Sequence, residues 1–280
     1  MHVRRLTSPP VRCLAGIATL LLVLGLAPAA GAAISVVGGL QRSYRLNPGE
    51  EAQGRVIVRN SSELPQPVRV YLTDYQRLAD GTTNYGEAGQ MKRSNAAWLH
   101  VTPAEQMIPP RSSASVHFVV RVPADNALSG TYWSMLMVEG INPAILAPPT
   151  AATEQVHIGL RSITRTGIQI ATEIGADGKG DLRFLRRQLQ QVDDGYRLQL
   201  DLENSGERVL SLAIWAELFD EQGLSIGRFH AGQRGFYPGD AGSVAIALGG
   251  VPPGAYTALI VADNHDEHIF GARYELVIEP

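Results

Sequence analysis

Cysteine is almost absent from this sequence, since Cys13 is the only one among 280 residues. A single thiol excludes a disulfide scaffold and a zinc site built from thiolates. A strong excess of either charge is also absent. The formal net charge is -3, which indicates no basic surface of the kind that dedicated nucleic-acid binders carry. Only one long apolar run occurs, near the N-terminus, which excludes a membrane protein with several helical spans.

That apolar run belongs to a pattern typical of secretory signal peptides. Basic residues precede the stretch Leu14–Leu26, and small residues follow it as far as Ala33. A spanning helix needs about 20 apolar residues, so we predict a cleavable signal peptide over 1–33 rather than a retained anchor. The mature protein is then expected in the periplasm, free of cysteine and without stable insertion in the membrane.

Helical periodicity is scarce, whereas short runs of alternating apolar and polar residues recur between turn-forming residues. In the run from 67 to 73, for example, Val68, Val70 and Leu72 share one side of a predicted strand. Turn residues recur about every 8–15 positions, a spacing typical of all-β sandwiches. We therefore predict two immunoglobulin-like β-sandwich domains in tandem, over 34–175 and 181–280.

Residues that could support catalysis are few. Gly-x-Ser-x-Gly occurs once, at 223–227, but no helix is predicted to follow it as a nucleophile elbow requires. Removal of the signal peptide leaves no cysteine nucleophile, so we predict neither enzyme activity nor a cofactor. His265, Asp266, Glu267 and His268 could each bind a metal. They fall in a predicted turn, however, and turns commonly collect such polar residues. His265 and His268 are therefore weak candidates, and no metal site is predicted.

The segment 156–170 suggests a function. It follows a Pro- and Ala-rich predicted loop over 142–155, and its even positions are apolar at both ends. A strand in that position can lie at a sheet edge and accept a partner's strand through main-chain hydrogen bonds. The alternative is an ordinary last strand of the first domain, buried on one face. Under the first interpretation the partner-binding residues of this strand are Val156, Ile158, Leu160, Arg161, Arg165, Ile168 and Ile170.

Six short motifs follow one another along the first predicted domain, namely Tyr44–Gly49, Arg55–Asn60, Val68–Tyr71, Trp98–Pro103, Ile108–Arg111 and Tyr132–Val138. This ordered set resembles the PapD-like periplasmic chaperones of pilus assembly. The resemblance covers 34–173 in its motifs and 181–280 in architecture only. It implies a non-enzymatic chaperone whose partner is a secreted fimbrial or other surface subunit.

The resemblance also implies a place for the partner's terminal carboxylate. PapD-like chaperones hold it with two basic residues in the cleft between their domains. One follows the first strand, where this sequence has Arg42 and Arg45; the other lies in the last strand of the first domain, where Arg165 or, less well, Arg161 stands. A guanidinium suits a carboxylate because it can donate two parallel hydrogen bonds. The sequence leaves open which arginine serves at either place.

The first domain is also similar to the WxL-interacting surface proteins, through Tyr44–Gly49 and Val122–Tyr132. Members of that family bind peptidoglycan and partner proteins. Two hypotheses follow. The leading one is a periplasmic chaperone-like protein that binds a secreted subunit by β-strand addition at 156–170. The second is a cell-envelope scaffold or adhesion module that binds peptidoglycan or a surface protein.

Overall fold

A computed structural model describes residues 33–141, 164–175 and 178–279. Outside these ranges lie almost all of the predicted signal peptide, the predicted loop over 142–155 and, from the predicted edge strand, Val156, Ile158, Leu160 and Arg161. Within them the regular structure is β-strand, apart from one short 3₁₀ turn at Ala96–Trp98. This confirms the all-β prediction. The same ranges contain no helix of the length and apolarity that a membrane span requires.

Two sheets form the first sandwich. The smaller one has the strand order β1 (Ile34–Val37), β3 (Glu51–Asn60), β8 (Ser113–Arg121) and β6 (Leu99–Thr102). The larger one has the order β2 (Gln41–Leu46), β10 (Arg165–Ile174), β9 (Gly130–Gly140), β4 (Gln66–Arg77) and β5 (Thr83–Gly86), and β7 (Glu105–Ile108) also pairs with β4.

The core of this sandwich follows from the alternation in the sequence. Successive strand residues point to opposite faces, so the apolar positions of each strand collect between the sheets. The buried cluster joins both sheets, and its members include Val56, Val58, Val116, Phe118, Leu136, Val138, Ile168 and Ile170.

The first stretch of chain is divided between the two sheets. β1 pairs antiparallel with β3 in the smaller sheet, whereas β2 pairs in parallel with β10 in the larger one. The chain crosses over at Gly38 and Gly39, and Gly38 has a φ of 99°, which only glycine adopts at little cost. The crossing matters for function because it sets where β2 begins to cover the edge of β10.

The second sandwich also contains two sheets. One has the order β11 (Leu182–Val192), β12 (Gly195–Asn204) and β15 (Ala241–Leu248); the other has the order β14 (Ser225–Phe236), β13 (Leu210–Phe219), β16 (Gly254–Asp263) and β17 (Ile269–Ile278). A separate buried cluster fills this sandwich, with Leu198, Leu200, Leu212, Ile214, Ile246 and Ile260 among its members. β10 ends at Ile174 and β11 begins at Leu182, on either side of the predicted domain boundary.

The sequence pattern does not predict the short strands β1, β2, β5 and β7 or the long strand β14. In β14 the alternation is interrupted, since its pairing with β13 shifts register at two places. Gly227 and Gly232 have φ values of 151° and 88°. Such bulges bend a strand and break the period-2 pattern on which strand prediction depends.

A buried asparagine holds the same corner in both sandwiches. Asn60 ends β3, and its Nδ2 donates to Leu64 O (2.8 Å) and Ile108 O (3.1 Å), while its Oδ1 accepts from Ser62 N (2.9 Å). Asn204 ends β12 and repeats the arrangement. Its Nδ2 donates to the carbonyl four residues on (2.7 Å) and to Phe236 O (2.9 Å), and its Oδ1 accepts from the amide two residues on (2.9 Å). Both side chains are fully buried, where a polar group needs hydrogen-bond partners within the protein, and the bonds to Ile108 O and Phe236 O are buried with them.

Candidate functional site

β10 is covered on one side along its whole length and on the other side only in part. It pairs with β9 from Arg165 to Ile174, but with β2 only from Gln169 onward. Over 165–168, no strand of the described ranges other than β9 pairs with it. This part of β10 is therefore the candidate site, and it lies within the predicted edge segment 156–170.

The main-chain groups at this open edge can be identified from the neighbouring hydrogen bonds. Gln169 N donates to Leu40 O at 2.8 Å, so the main-chain groups of Gln169 point toward the β2 side. Because these groups alternate along a strand, those of Arg165 and Gly167 point the same way, away from β9. They are the groups to which an added strand would bond.

The side chains of β10 divide between two faces. Ile168 and Ile170, both predicted partner contacts, have no exposed surface and lie in the core of the first sandwich. Their side chains anchor β10 in the core, so a partner strand would contact the main chain at the edge and not these side chains. On the opposite face Gly167 lies against Met135 and Met137 of β9.

Arg165 lies at the start of the strand and already has a partner. Its Nε donates to Glu139 Oε2 at 2.9 Å, and that oxygen also accepts from Tyr71 Oη at 3.1 Å. The hydrogen bond and charge of Glu139 raise the pKa of Arg165 above its ordinary value. The Arg165 side chain remains 55% exposed, so its guanidinium can still reach a ligand.

Arg42 and Arg45 lie on β2, and the structure does not bring either of them next to Arg165. In the parallel pairing Arg42 stands beside Ile170 and Arg45 beside Glu173, which places them about 17 and 27 Å along β10 from Arg165 at the usual strand rise. Arg42 Nη1 donates to Gly39 O (2.8 Å). The single carboxylate site implied by the resemblance would therefore use one of these places only.

Arg45 lies at the cleft between the two sandwiches, which form part of one compact unit. Its Nε donates to Glu173 Oε2 at 3.2 Å, and its side chain is 88% exposed. The cleft is also lined by Arg208, Ser211 and His268 of the second sandwich. Sequence reasoning missed Arg208, because nothing in a local pattern shows that the turn after Asn204 faces β2.

The two sandwiches meet through a buried aromatic group. Trp133 packs against Tyr75 and Tyr237, with ring centroids 5.5 and 5.1 Å away. Gln41 Nε2 donates to Tyr237 Oη at 2.8 Å, and burial raises the pKa of Tyr237 above its ordinary value. The bond from Gln41 joins β2 to the second sandwich. β2 is therefore held both by its pairing with β10 and by the second sandwich.

A buried ion pair adds to this interface. Asp240 is fully buried and accepts from Arg77 N (3.0 Å), Nε (3.2 Å) and Nη2 (3.1 Å). A second contact joins Thr131 N to Glu207 O at 2.7 Å, and Arg93 Nη2 lies 2.7 Å from Glu207 Oε1. Charged and main-chain bonds of this kind fix the relative orientation of the sandwiches.

The two weak metal candidates do not share a ligand cluster. His265 Nδ1 lies 4.0 Å from Asp263, whereas His268 Nδ1 lies 3.1 Å from Asp266. No group of three or more His, Cys, Asp and Glu side chains that could hold a metal occurs in the ranges that the structure describes. The histidines belong to the turn between β16 and β17.

No protein-family model matches the sequence, and no curated protein matches it either. Solved structures do. A chaperone–tip adhesin complex of CFA/I fimbriae biogenesis is 11% identical, with 88% of this chain and 99% of that chain covered and a TM-score of 0.46. The E. coli chaperone DraB is 14% identical (88% and 96% covered, TM-score 0.40). The CsuC–CsuE chaperone–tip adhesion subunit complex of Acinetobacter baumannii is 13% identical (87% and 98% covered, TM-score 0.42). Each of these three structures is described as a chaperone or as a complex that contains one.

Proposed function

We propose that this protein is a non-enzymatic, periplasmic chaperone-like protein that binds a secreted fimbrial or other surface subunit by β-strand addition. The observation that carries the proposal is the open edge of β10 over 165–168. A strand added there would lie beside β10 in line with β2, immediately before the point where β2 begins.

The edge has the properties that strand addition needs. The main-chain groups of Arg165 and Gly167 point outward, and Ile168 and Ile170 fix the strand to the core from the inside. Main-chain bonds supply affinity in such complexes, and side-chain contacts set the register. On the face beside the edge, Gly167 lies under Met135 and Met137, and a Cβ there would come within 2.5 Å of Met135 Cε. Thioether side chains are flexible, so this face can adapt to different neighbours.

The arginines have distinct places in this proposal. A strand running parallel to β10 would end where β2 begins, and its C-terminal carboxylate would arrive beside Leu40 and Arg42. Arg42 uses Nη1 for the carbonyls of Gly39 and Gln41, and its guanidinium has five N–H donors in all. Arg165 would contact the other end of the added strand, and Arg45 would contact parts of the subunit that enter the cleft.

Replacing Gly167 with proline is expected to reduce the recovered partner about tenfold, because proline removes an outward N–H and its ring obstructs the approaching strand. The bond pattern to β9 does not use that N–H, so the fold should survive. The measurement is quantitative mass spectrometry of proteins that co-purify with the tagged chain from the periplasm.

Gly167→Ala is the matched control, since it adds the same Cβ beside Met135 but retains the N–H. It should recover the partner within about twofold of the natural chain. The proposal is wrong if the natural chain comes out alone, or if proline and alanine variants with equal thermal stability recover equal amounts of partner.

Charge reversal should then rank the three arginines. Arg42→Glu is expected to cause the largest loss of partner, because it places a negative charge where the carboxylate would arrive. Arg165→Glu and Arg45→Glu should each cause a smaller loss. An equal loss in all three variants would contradict the placement of the partner's carboxylate beside Arg42. The scaffold hypothesis stays a prediction, because no feature of the described residues favours peptidoglycan.

A further inference from the structure

The four-stranded sheet of the second sandwich has one irregular edge strand, β14, and one regular edge strand, β17. At the irregular edge, β14 pairs with β13 through two register shifts. At the other edge, β17 pairs with β16 over ten residues, from Ile269 to Ile278, without a shift. No other strand of the described ranges pairs with β17. Bulges usually protect sheet edges against pairing with another chain, and β17 has no bulge.

The outward face of β17 has a pattern that is complementary to itself. Arg273 and Glu275 stand two positions apart, with side chains 71% and 70% exposed. Toward the ends of the strand, Ile269 and Val277 are 67% and 63% exposed, and Gly271 separates Ile269 from Arg273. A Cβ added at Gly271 would meet only Ile260 O, at 3.5 Å, so the surface above it is open.

We propose that β17 is an interaction surface for a second copy of this chain, pairing antiparallel with its own counterpart about a two-fold axis at Tyr274. In that register Arg273 of each copy stands opposite Glu275 of the other, and both pairs form at once. Opposite charges in directly facing positions stabilise a strand pair, whereas like charges destabilise it.

The same register also matches side-chain size. It sets Val277 of each copy opposite Gly271 of the other, so the exposed valine covers the open surface above the glycine. Shifting the axis by one residue toward either end sets Arg273 opposite Arg273, or Glu275 opposite Glu275. The charge pattern therefore selects one register and disfavours its neighbours, and the interface has the isologous form that two-fold dimers require.

This surface is distinct from the open edge of β10, and the proposal does not depend on the proposed chaperone function. Pairing through β17 would join the four-stranded sheets of two copies into one continuous sheet. The first sandwich of each copy, with its own β10 edge, is not used in the pairing.

Sedimentation velocity over about a hundredfold range of concentration should show a reversible dimer of the natural chain. Arg273→Glu alone and Glu275→Arg alone should each weaken it about tenfold, because each sets like charges opposite one another twice. The double variant R273E/E275R restores opposite charges and should return the dimer to within about threefold of the natural chain.

The exposed Arg121–Glu51 pair of the first sandwich, joined at 3.0 Å, offers the matched control. Arg121→Glu should leave the dimer unchanged. The proposal is overturned if the natural chain stays monomeric throughout, if the single reversals dimerise as well as the natural chain, or if the double variant fails to recover. None of these outcomes bears on recovery of a partner at β10, so the two proposals fail separately.

Discussion

Replacing Arg77 with alanine should lower the free energy of unfolding by about 3 kcal/mol near neutral pH, because it leaves a buried charge unpaired. Asp240 has no exposed surface, and the Arg77 side chain donates two of the four hydrogen bonds that its carboxylate accepts. The Arg77 side chain is 40% exposed, so water can replace part of what is lost, and the value lies at the low end for such pairs.

The loss should also depend on pH, in a direction that follows from the Asp240 carboxyl group. Burial raises the pKa of Asp240 above its ordinary value, and the bonds and charge of Arg77 oppose that rise. Without Arg77 the pKa rises further. A carboxyl group with a raised pKa in the folded state costs nothing below its unfolded pKa, where both states are protonated. The cost grows as pH increases through the folded pKa.

Urea denaturation at several pH values between acid and neutral provides the measurement. The difference between the natural chain and Arg77→Ala should be smallest at the acid end and largest at neutral pH. Arg69→Ala is the control, since Arg69 and Glu105 form an exposed pair worth no more than about 1 kcal/mol. A difference that is constant with pH would show that the buried charge of Asp240 is not the cause.

Replacing either corner asparagine with alanine should cost about 2 kcal/mol, because it leaves a buried carbonyl without its side-chain donor. For Asn204 this is the carbonyl of Phe236, and for Asn60 that of Ile108. Asn204→Asp tests the direction of the bonds. It retains the acceptor for the Gly206 amide but sets a carboxylate against carbonyl oxygens, so it should be at least as destabilising as alanine.

Chemical denaturation of the three variants, compared with Asn84→Ala, measures this effect. Asn84 is exposed on β5, and its replacement should change stability by less than about 0.5 kcal/mol. An aspartate variant as stable as the natural chain would mean that the donor bonds of Asn204 contribute little.

Local pattern predicted the fold class and most of the long strands, because alternation within β4 or β8 records which face is buried. It also singled out the region of β10, since that segment follows a predicted Pro- and Ala-rich loop. Local pattern could not predict where Arg42, Arg45 and Arg165 lie relative to one another. Arg45 pairs with Glu173 across 128 positions, and only the register of the parallel pairing sets Arg42 and Arg45 far from Arg165. Arg77 and Asp240 are 163 positions apart, and nothing in the sequence around either residue predicts that they pair.

The parallel pairing of β2 with β10 also has a consequence for the order of folding. It joins segments from opposite ends of the first sandwich, and contacts of such long sequence separation form slowly because the intervening chain must first be ordered. The antiparallel pairing of β9 with β10 spans far less chain and should form earlier. A newly made molecule would therefore pass through a stage in which all of β10, and not only its first residues, lacks β2 at its side. During that stage the sheet presents a longer edge than the finished protein does.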